Sequence, residues 1–577
     1  MTTIDPMIIA KAQSWLNGNI DKKSKQKIQA LLDAPDKTEL IDSFYRDLEF
    51  GTGGLRGIMG VGSNRMNVYT VAMATQGLAN YLLKCFPGED IKVAITHDCR
   101  INNTLFADTT ANIFTANGIK VKYFRELRPT PMLSFAIRYF GCKSGVMVTA
   151  SHNPKEYNGY KAYWDDGGQV VAPHDKNIID EVQKITSFDN VNWDKNDSLI
   201  EYIESDFDQI YLNEVKKLSL SPNEIMLEKN MPIVFSPIHG ASGKMVPAAL
   251  KAFGFKNIHV VKEQAEPDGN FPTVIYPNPE EAEALTMALE LGKKTGAELI
   301  LACDPDGDRY AACVPDGKGD YELLNGNQTG SLLTYYLLNK WREHGRLTGH
   351  EFMVNTIVTT ELIDEICKGF GVTCYSVLTG FKNIAEVIRN LEGKKQYIGG
   401  GEESYGYLVG DFVRDKDGVS ACAMVSEIVA YYKTKGMTVR DVLAEIYMQF
   451  GFYKESLISV TKKGKDGAEQ IQALMAGFRT NRPTEMNGIK VVKVVDVKES
   501  KIYDLVNQTE TELKMDKSNV IQFYLEDGSK ISARPSGTEP KIKYYFSVHE
   551  ALPNREAYDA VAASLDKRLE GLKKYFQ

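Results

Sequence analysis

Residues 146–164 read VMVTASHNPKEYNGYKAYW: an apolar run delivers Ser151 into a His-Asn-Pro stretch, and Lys161 stands ten positions further on. A serine hydroxyl is a weak nucleophile at neutral pH unless a base, a positive field or a metal helps it. The same residues also fit an Asx-Pro turn in which Ser151 and Asn153 cap backbone groups. The usual serine-hydrolase alternative is weak, because no G-x-S-x-G occurs to make a nucleophile elbow. The stretch GASGKM at 240–245 has neither the spacing of a P-loop nor a Ser or Thr after its lysine.

A second group is ELILACDPDGDRYAACV, residues 298–314, where Asp304, Asp306 and Asp308 follow a buried-looking strand and Pro305 and Gly307 bend the chain. Carboxylates packed this closely repel one another unless a divalent cation offsets them. An EF-hand counted from Asp304 needs Gly sixth and Glu twelfth, but Arg309 and Pro315 stand there. Three protein carboxylates would leave open positions on Mg2+ for water or phosphate oxygen. A solvated acidic turn is the bland alternative.

In ARPSGTEPKIK, residues 533–543, two cations, two hydroxyls and a flexible backbone share one loop: Arg534, Ser536, Gly537, Thr538 and Lys541. Backbone N–H groups in such a loop form an anion-binding concavity, and arginine grips phosphate with two parallel bonds. A fourth stretch, YIGGGEESYGYLVGDFVRDKDG at 397–418, sets Glu402 and Ser404 after a Gly-rich turn with Lys416 downstream. Carboxylate, hydroxyl and ammonium together can satisfy vicinal sugar hydroxyls, although a charged surface loop fits the same residues. His97 and Arg100 in THDCR stand at a strand end, where local hydrogen bonding is the plain reading of the histidine.

These groups need elements to hold them, and one pattern recurs three times. IKVAITHDCR, NTLFADTTANIFTANG and IKVKYF read as strand, helix and strand. MPIVFSPIHGASG, KMVPAALKAFG and FKNIHVV repeat the order, as do EFMVNTIVTT, ELIDEICKGFG and VTCYSVL. Gly118, Gly254 and Gly371 sit where each helix would end in a left-handed residue. Such βαβ units imply largely parallel sheets in three related α/β domains. The polar stretch SFDNVNWDKNDSLIEYIESDFDQ is expected to end the first rather than to build core. After about residue 455 strand-like runs joined by Asp527-Gly528 predict a fourth, α+β domain with an antiparallel sheet.

With 577 residues, 43% apolar and 25% charged, the chain has the composition of a soluble multidomain protein. Its net charge of −8 gives no general attraction to nucleic acid or anionic membrane, so an anionic ligand needs local cations. Eight scattered cysteines without a C-x-x-C pair suggest reduced thiols, neither zinc site nor disulfide framework. Neither a signal peptide nor a membrane span is expected, and a cytoplasmic enzyme is the default.

Taken together, TASHNP, DPDGDR, GEES and RPSGTEPK resemble, in order, the phosphoserine, metal, sugar-recognition and phosphate-binding loops of the α-D-phosphohexomutases, the phosphoglucomutases and phosphomannomutases. The resemblance spans the chain and implies domains at 1–225, 226–322, 323–455 and 456–577, one loop in each, around a central cleft. It implies that Ser151 carries a phosphoryl group, and that Asp304, Asp306, Asp308 and a phosphoserine oxygen hold one Mg2+ per chain. Arg56 of FGTGGLRG and Arg309 would bind the reacting phosphate, and Lys161 would be the general acid/base with His152 in support. Glu402 and Ser404, with Thr379 of LTGFKN and Lys416, would read the sugar. Arg534, Ser536, Gly537 and Thr538 would take the nonreacting phosphate.

The implied reaction interconverts hexose 1-phosphate and hexose 6-phosphate through a hexose 1,6-bisphosphate. The expected partner is a small phosphosugar, no nucleic-acid or membrane partner is expected, and a monomer or dimer is expected. The first loop departs from the muscle-type pattern in having Gly53 where that pattern has serine, and resembles the longer phosphoglucomutase-2/phosphopentomutase branch. TGFK and GEES resemble the glucose-handling pattern. Glucose phosphate is therefore expected first, mannose phosphate second and ribose phosphate third. A sugar-phosphate-binding protein and a phosphoserine-forming phosphatase are the alternatives from other classes.

Overall fold

The computed structural model describes residues 4–51, 54–462, 464–536 and 541–576. They divide into two compact units, the first made of 1–324, 381–393 and 405–434, the second of 325–380, 394–404 and 435–577.

In the first unit the anticipated βαβ order is realised twice. Lys92–His97 runs parallel to Lys120–Phe124 through the helix Asn103–Ala116, and Ile233–Ser236 runs parallel to Ile258–Val260 through Met245–Phe253. Gly118 has φ +75° and empty space where a Cβ would stand, so backbone conformation alone selects glycine there.

A six-stranded sheet forms in the order Gly54–Ile58, Tyr157–Trp164, Ser144–Val148, Lys92–His97, Lys120–Phe124, Ile200–Ile203. The first two pairings are antiparallel and the rest parallel. Parallel strands covered by helices on both faces read as continuous apolar runs, as the wholly buried Ser144–Val148 does. A five-stranded sheet is equally mixed, with Leu299–Cys303 parallel to Ile233–Ser236 and antiparallel to Tyr310–Pro315.

The stretch 187–209 corrects one expectation. It ends the first sheet with the edge strand Ile200–Ile203, but it also buries Phe188 and Val191. Phe188 meets Trp15 edge-on at 4.9 Å, within a cluster that also holds Phe44 and Tyr69. Single apolar residues among acidic ones carry no periodicity, so their burial cannot be seen from the chain. The partner helices Pro6–Asn17, Lys22–Asp33 and Thr38–Phe44 precede the repeated units.

In the second unit Glu351–Thr356 is flanked in parallel by Thr373–Val377 and Gln396–Glu402, completing the third βαβ unit through the helix Leu362–Gly369. From Phe452 onward the sheet is antiparallel, in the order Phe452–Thr461, Lys541–Glu550, Lys530–Pro535, Ile521–Leu525, Ile489–Asp496, Lys501–Asp504, Thr509–Glu512. Gly528, at φ +83°, turns the hairpin between Ile521–Leu525 and Lys530–Pro535. All eight cysteines are free. No helix among the described residues is long and apolar enough to cross a membrane.

Candidate active site

Ser151 and the three aspartates leave the carboxyl ends of strands in two different sheets, the usual place for ligand sites in α/β folds. The chain leaves Ser144–Val148, turns through Ser151 at φ +51°, and returns as Tyr157–Trp164. Lys161 lies on that return strand, opposite Met147. In the second sheet the turn Asp304–Arg309 joins Leu299–Cys303 to Tyr310–Pro315, and Gly307 takes φ +66°.

The two turns meet. Ser151 Oγ donates to Asp304 Oδ2 at 2.8 Å and lies 3.1 Å from His152 Nδ1. Lys161 Nζ donates to Asp306 Oδ2 at 2.6 Å and to Asp308 Oδ2 at 3.2 Å. Lys416, anticipated near the sugar-reading residues, has its Nζ 3.2 Å from both Asp308 Oδ2 and Asp415 Oδ1. Arg309 reaches Asp304 Oδ1 through its backbone N–H at 3.1 Å, while its guanidinium pairs with Glu280 at 2.8 Å. Arg56 donates to Asn153 Oδ1 at 3.3 Å, two residues from Ser151.

The aspartates have the makings of a hard-cation site. Each offers an oxygen within 4.8 Å of the others, and all three are buried. Asp306 Oδ1 and Asp308 Oδ1 are buried with no hydrogen-bond partner, a costly arrangement that a cation ligated by oxygen would relieve. The residues therefore fit Mg2+. Burial beside Asp306 and Asp308 pushes Asp304 well above the usual carboxylate range. Asp308 is held below it, since Lys161, Lys416 and Arg309 outweigh its burial. Lys161 is raised because Asp306 and Asp308 outweigh its own burial. Burial and the positive charges of Arg309 and Arg56 hold His152 well below the usual histidine range.

Other expected residues lie in the second unit. Glu402 ends the strand Gln396–Glu402 and accepts the Gly380 N–H at 2.9 Å, which ties the GEES loop to the loop carrying Thr379. Ser404 follows, half-buried. Arg534 stands opposite Lys543 on the strand Lys530–Pro535, and the Ser536 N–H donates to the Lys541 carbonyl at 2.7 Å. Gly537 and Thr538 lie outside the described residues, as does Gly53.

Several participants were not singled out by sequence. Thr130 binds the metal-type turn twice, through Oγ1 to Asp306 Oδ2 at 3.0 Å and through its N–H to the Asp306 carbonyl at 2.8 Å. Thr149 Oγ1 accepts the Ser151 N–H at 2.8 Å and donates to the buried Asp98. The THDCR motif was the available signal for Asp98, since its strand, Lys92–His97, neighbours Ser144–Val148. His97 itself makes the local contact anticipated, to the Asp98 carbonyl at 2.7 Å.

Family models described as phosphoglucomutase/phosphomannomutase alpha/beta/alpha domains I, II and III match residues 47–189, 209–317 and 325–450. The chain belongs to this family, the α-D-phosphohexomutases, and is an isomerase, an intramolecular phosphotransferase with phosphohexomutase activity. A phosphoglucomutase of Staphylococcus haemolyticus is 35% identical over 531 residues, covering 91% of this chain and 95% of its own. One from Staphylococcus aureus is 36% identical over 510 residues, covering 88% and 90%. A putative phosphomannomutase from Thermus thermophilus superposes with TM-score 0.64 at 22% identity, over 91% of this chain and 99% of its own. The open form of parafusin, a phosphoglucomutase from Paramecium, gives 0.65 at 19%, over 92% and 95%. At these identities the structural likeness is one of fold.

Proposed function

We propose that the chain interconverts hexose 1-phosphate and hexose 6-phosphate, with glucose phosphate the first expectation, mannose phosphate the second and ribose 1-phosphate/5-phosphate the third. The observation that carries this reading is the Ser151 hydroxyl lying on Asp304 while Lys161 spans Asp306 and Asp308. A nucleophilic hydroxyl, a carboxylate triad and a cation in one buried place suit phosphoryl transfer, which is mostly positioning and charge neutralisation.

Ser151 Oγ carries the phosphoryl group in the resting enzyme. The free hydroxyl of the hexose monophosphate attacks phosphorus, the bond from phosphorus to Ser151 Oγ breaks, and a hexose 1,6-bisphosphate forms. The proton lost by the sugar hydroxyl ends on Ser151 Oγ, and its relay is assigned to Lys161 with His152 in support, a reading supported by their contacts with Asp306 and Ser151. Once the bisphosphate presents its other end, Ser151 Oγ attacks that phosphorus and the proton returns to the sugar. Asp304, Asp306, Asp308 and a phosphoserine oxygen would hold Mg2+, whose contribution when bound is to neutralise the transferring group. Arg56 and Arg309 are proposed to bind the reacting phosphate, the latter by exchanging Glu280 for it. Reading the sugar is assigned to Glu402, Ser404, Thr379 and Lys416, and holding the nonreacting phosphate to Arg534, Ser536, Gly537 and Thr538.

The test is an assay of the purified protein with Mg2+ and glucose, mannose and ribose 1-phosphates side by side, each primed with a trace of the matching bisphosphate. Isomer formation without free phosphate is expected, fastest with glucose 1-phosphate. Free phosphate without isomer would replace the mutase by a phosphatase.

A further inference from the structure

We infer that Arg100 is a positioning residue for Ser151, a buried clamp that holds the nucleophile's turn in its left-handed conformation; the catalytic part of this inference rests on the function proposed above. Arg100 is 3% exposed, and its guanidinium binds four carbonyls of that one turn. Nη2 donates to the Ser151 and Asn153 carbonyls at 2.6 and 2.5 Å, and Nη1 to the Pro154 and Tyr157 carbonyls at 2.9 and 3.0 Å.

Four carbonyl dipoles converging on one buried point repel one another unless a cation with several donors sits among them. The planar five-donor guanidinium meets that need, whereas a lysine ammonium has three donors on a compact point charge. The clamp is itself anchored. Asp98 Oδ2 lies 3.4 Å from Arg100 Nε, both side chains being fully buried, and Asp98 Oδ1 accepts the Arg100 N–H at 2.9 Å.

The guanidinium also lies 5.2 Å from the centre of the Phe271 ring. Phe271 belongs to the loop in which Gly269 packs so closely that a Cβ would stand 2.5 Å from the Ile101 nitrogen. Asp98 reaches Ser151 by a second route, accepting from Thr149 Oγ1, which in turn accepts the Ser151 N–H. The turn is thus held from both sides.

The consequence is kinetic. Ser151 at φ +51° occupies a left-handed conformation that disfavours a non-glycine residue, so without the clamp the turn relaxes and the hydroxyl leaves Asp304. Misplacing a reacting atom by about 1 Å can cost about 10²-fold in rate.

The experiment compares wild type with Arg100→Lys and Arg100→Ala, reading hydrogen exchange of residues 151–157, kcat, and rescue of Arg100→Ala by added guanidinium. Faster exchange confined to that turn, kcat lower by about 10- to 100-fold, and partial recovery with guanidinium are expected. If Arg100→Ala, which leaves buried Asp98 without its partner, does not fold, Arg100→Lys, which keeps the charge, carries the test. A folded Arg100→Lys with wild-type exchange and wild-type kcat overturns the inference. So does a kcat loss that merely follows the folded fraction, with the turn's exchange unchanged. Should wild type show no mutase turnover while Arg100→Lys exchanges faster at 151–157, the clamp stands and the proposed function falls.

Discussion

The Ser151 hydroxyl donates a 2.8 Å hydrogen bond to Asp304 Oδ2 across 153 residues of chain, joining the turn after one sheet's strand to the turn after another's. Because Ser151 is buried but small, Ser151→Ala removes the proposed acceptor of the phosphoryl group and only the hydroxyl's contacts with Asp304 and His152. Turnover should fall below detection, while stability changes by only about 1 kcal/mol. Near-normal turnover with the bisphosphate-primed substrate would remove the relay role.

Asp306 receives Lys161, Thr130 Oγ1 and a share of any cation. Asp306→Asn keeps the shape and removes the charge, so the Mg2+ concentration giving half-maximal activity should rise by at least about tenfold as kcat falls. An unchanged Mg2+ titration would show that the cation is held elsewhere.

Gly240 packs against the metal-type turn: a Cβ there would stand 2.5 Å from the Pro305 Cα and 2.7 Å from its carbonyl oxygen. Both atoms are backbone, so Gly240→Ala must displace the turn that carries Asp304 and Asp306. We expect a loss of about 1–3 kcal/mol in stability and weaker Mg2+ dependence of that stability, read as melting temperature against Mg2+. A melting curve that responds to Mg2+ as wild type does would count against this coupling.

Glu455 offers a test of pH dependence away from these turns. Burial, only partly countered by Thr360 and Lys530, pushes its carboxyl up from 4.5 to about 7, and its Oε1 is buried without a hydrogen-bond partner. Between pH 4.5 and 7 the folded state keeps a proton that the unfolded state has lost. This contribution is therefore fully present below 4.5, declines as pH rises, and is gone above 7. The shift corresponds to about 3 kcal/mol. Glu455→Gln should flatten this slope and stabilise the protein at pH 8, measured as urea midpoints at pH 5 and 8; parallel slopes for variant and wild type would contradict the assignment.

The three βαβ units, the hairpin at Gly528 and the aspartate turn were legible in the chain because each is written locally, by the period of apolar residues, a left-handed glycine or carboxylates at alternate positions. Residue types and spacing likewise marked an unusual serine at Ser151 and a candidate cation site at the three aspartates, while their reading with Lys161 as a phosphoryl-transfer set came from the resemblance of the motifs to the α-D-phosphohexomutases. What only the tertiary structure decided was who meets whom. Lys416 stands on Asp308, Glu280 holds Arg309, Thr130 ties down Asp306, and Phe188 fills a core beneath Trp15. Arg100, at a strand end, could be named from the motif, but its four carbonyl partners arise from the order in which strands join the sheet. Such contacts depend on strand order and packing between distant segments, which short-range patterns in a chain do not encode.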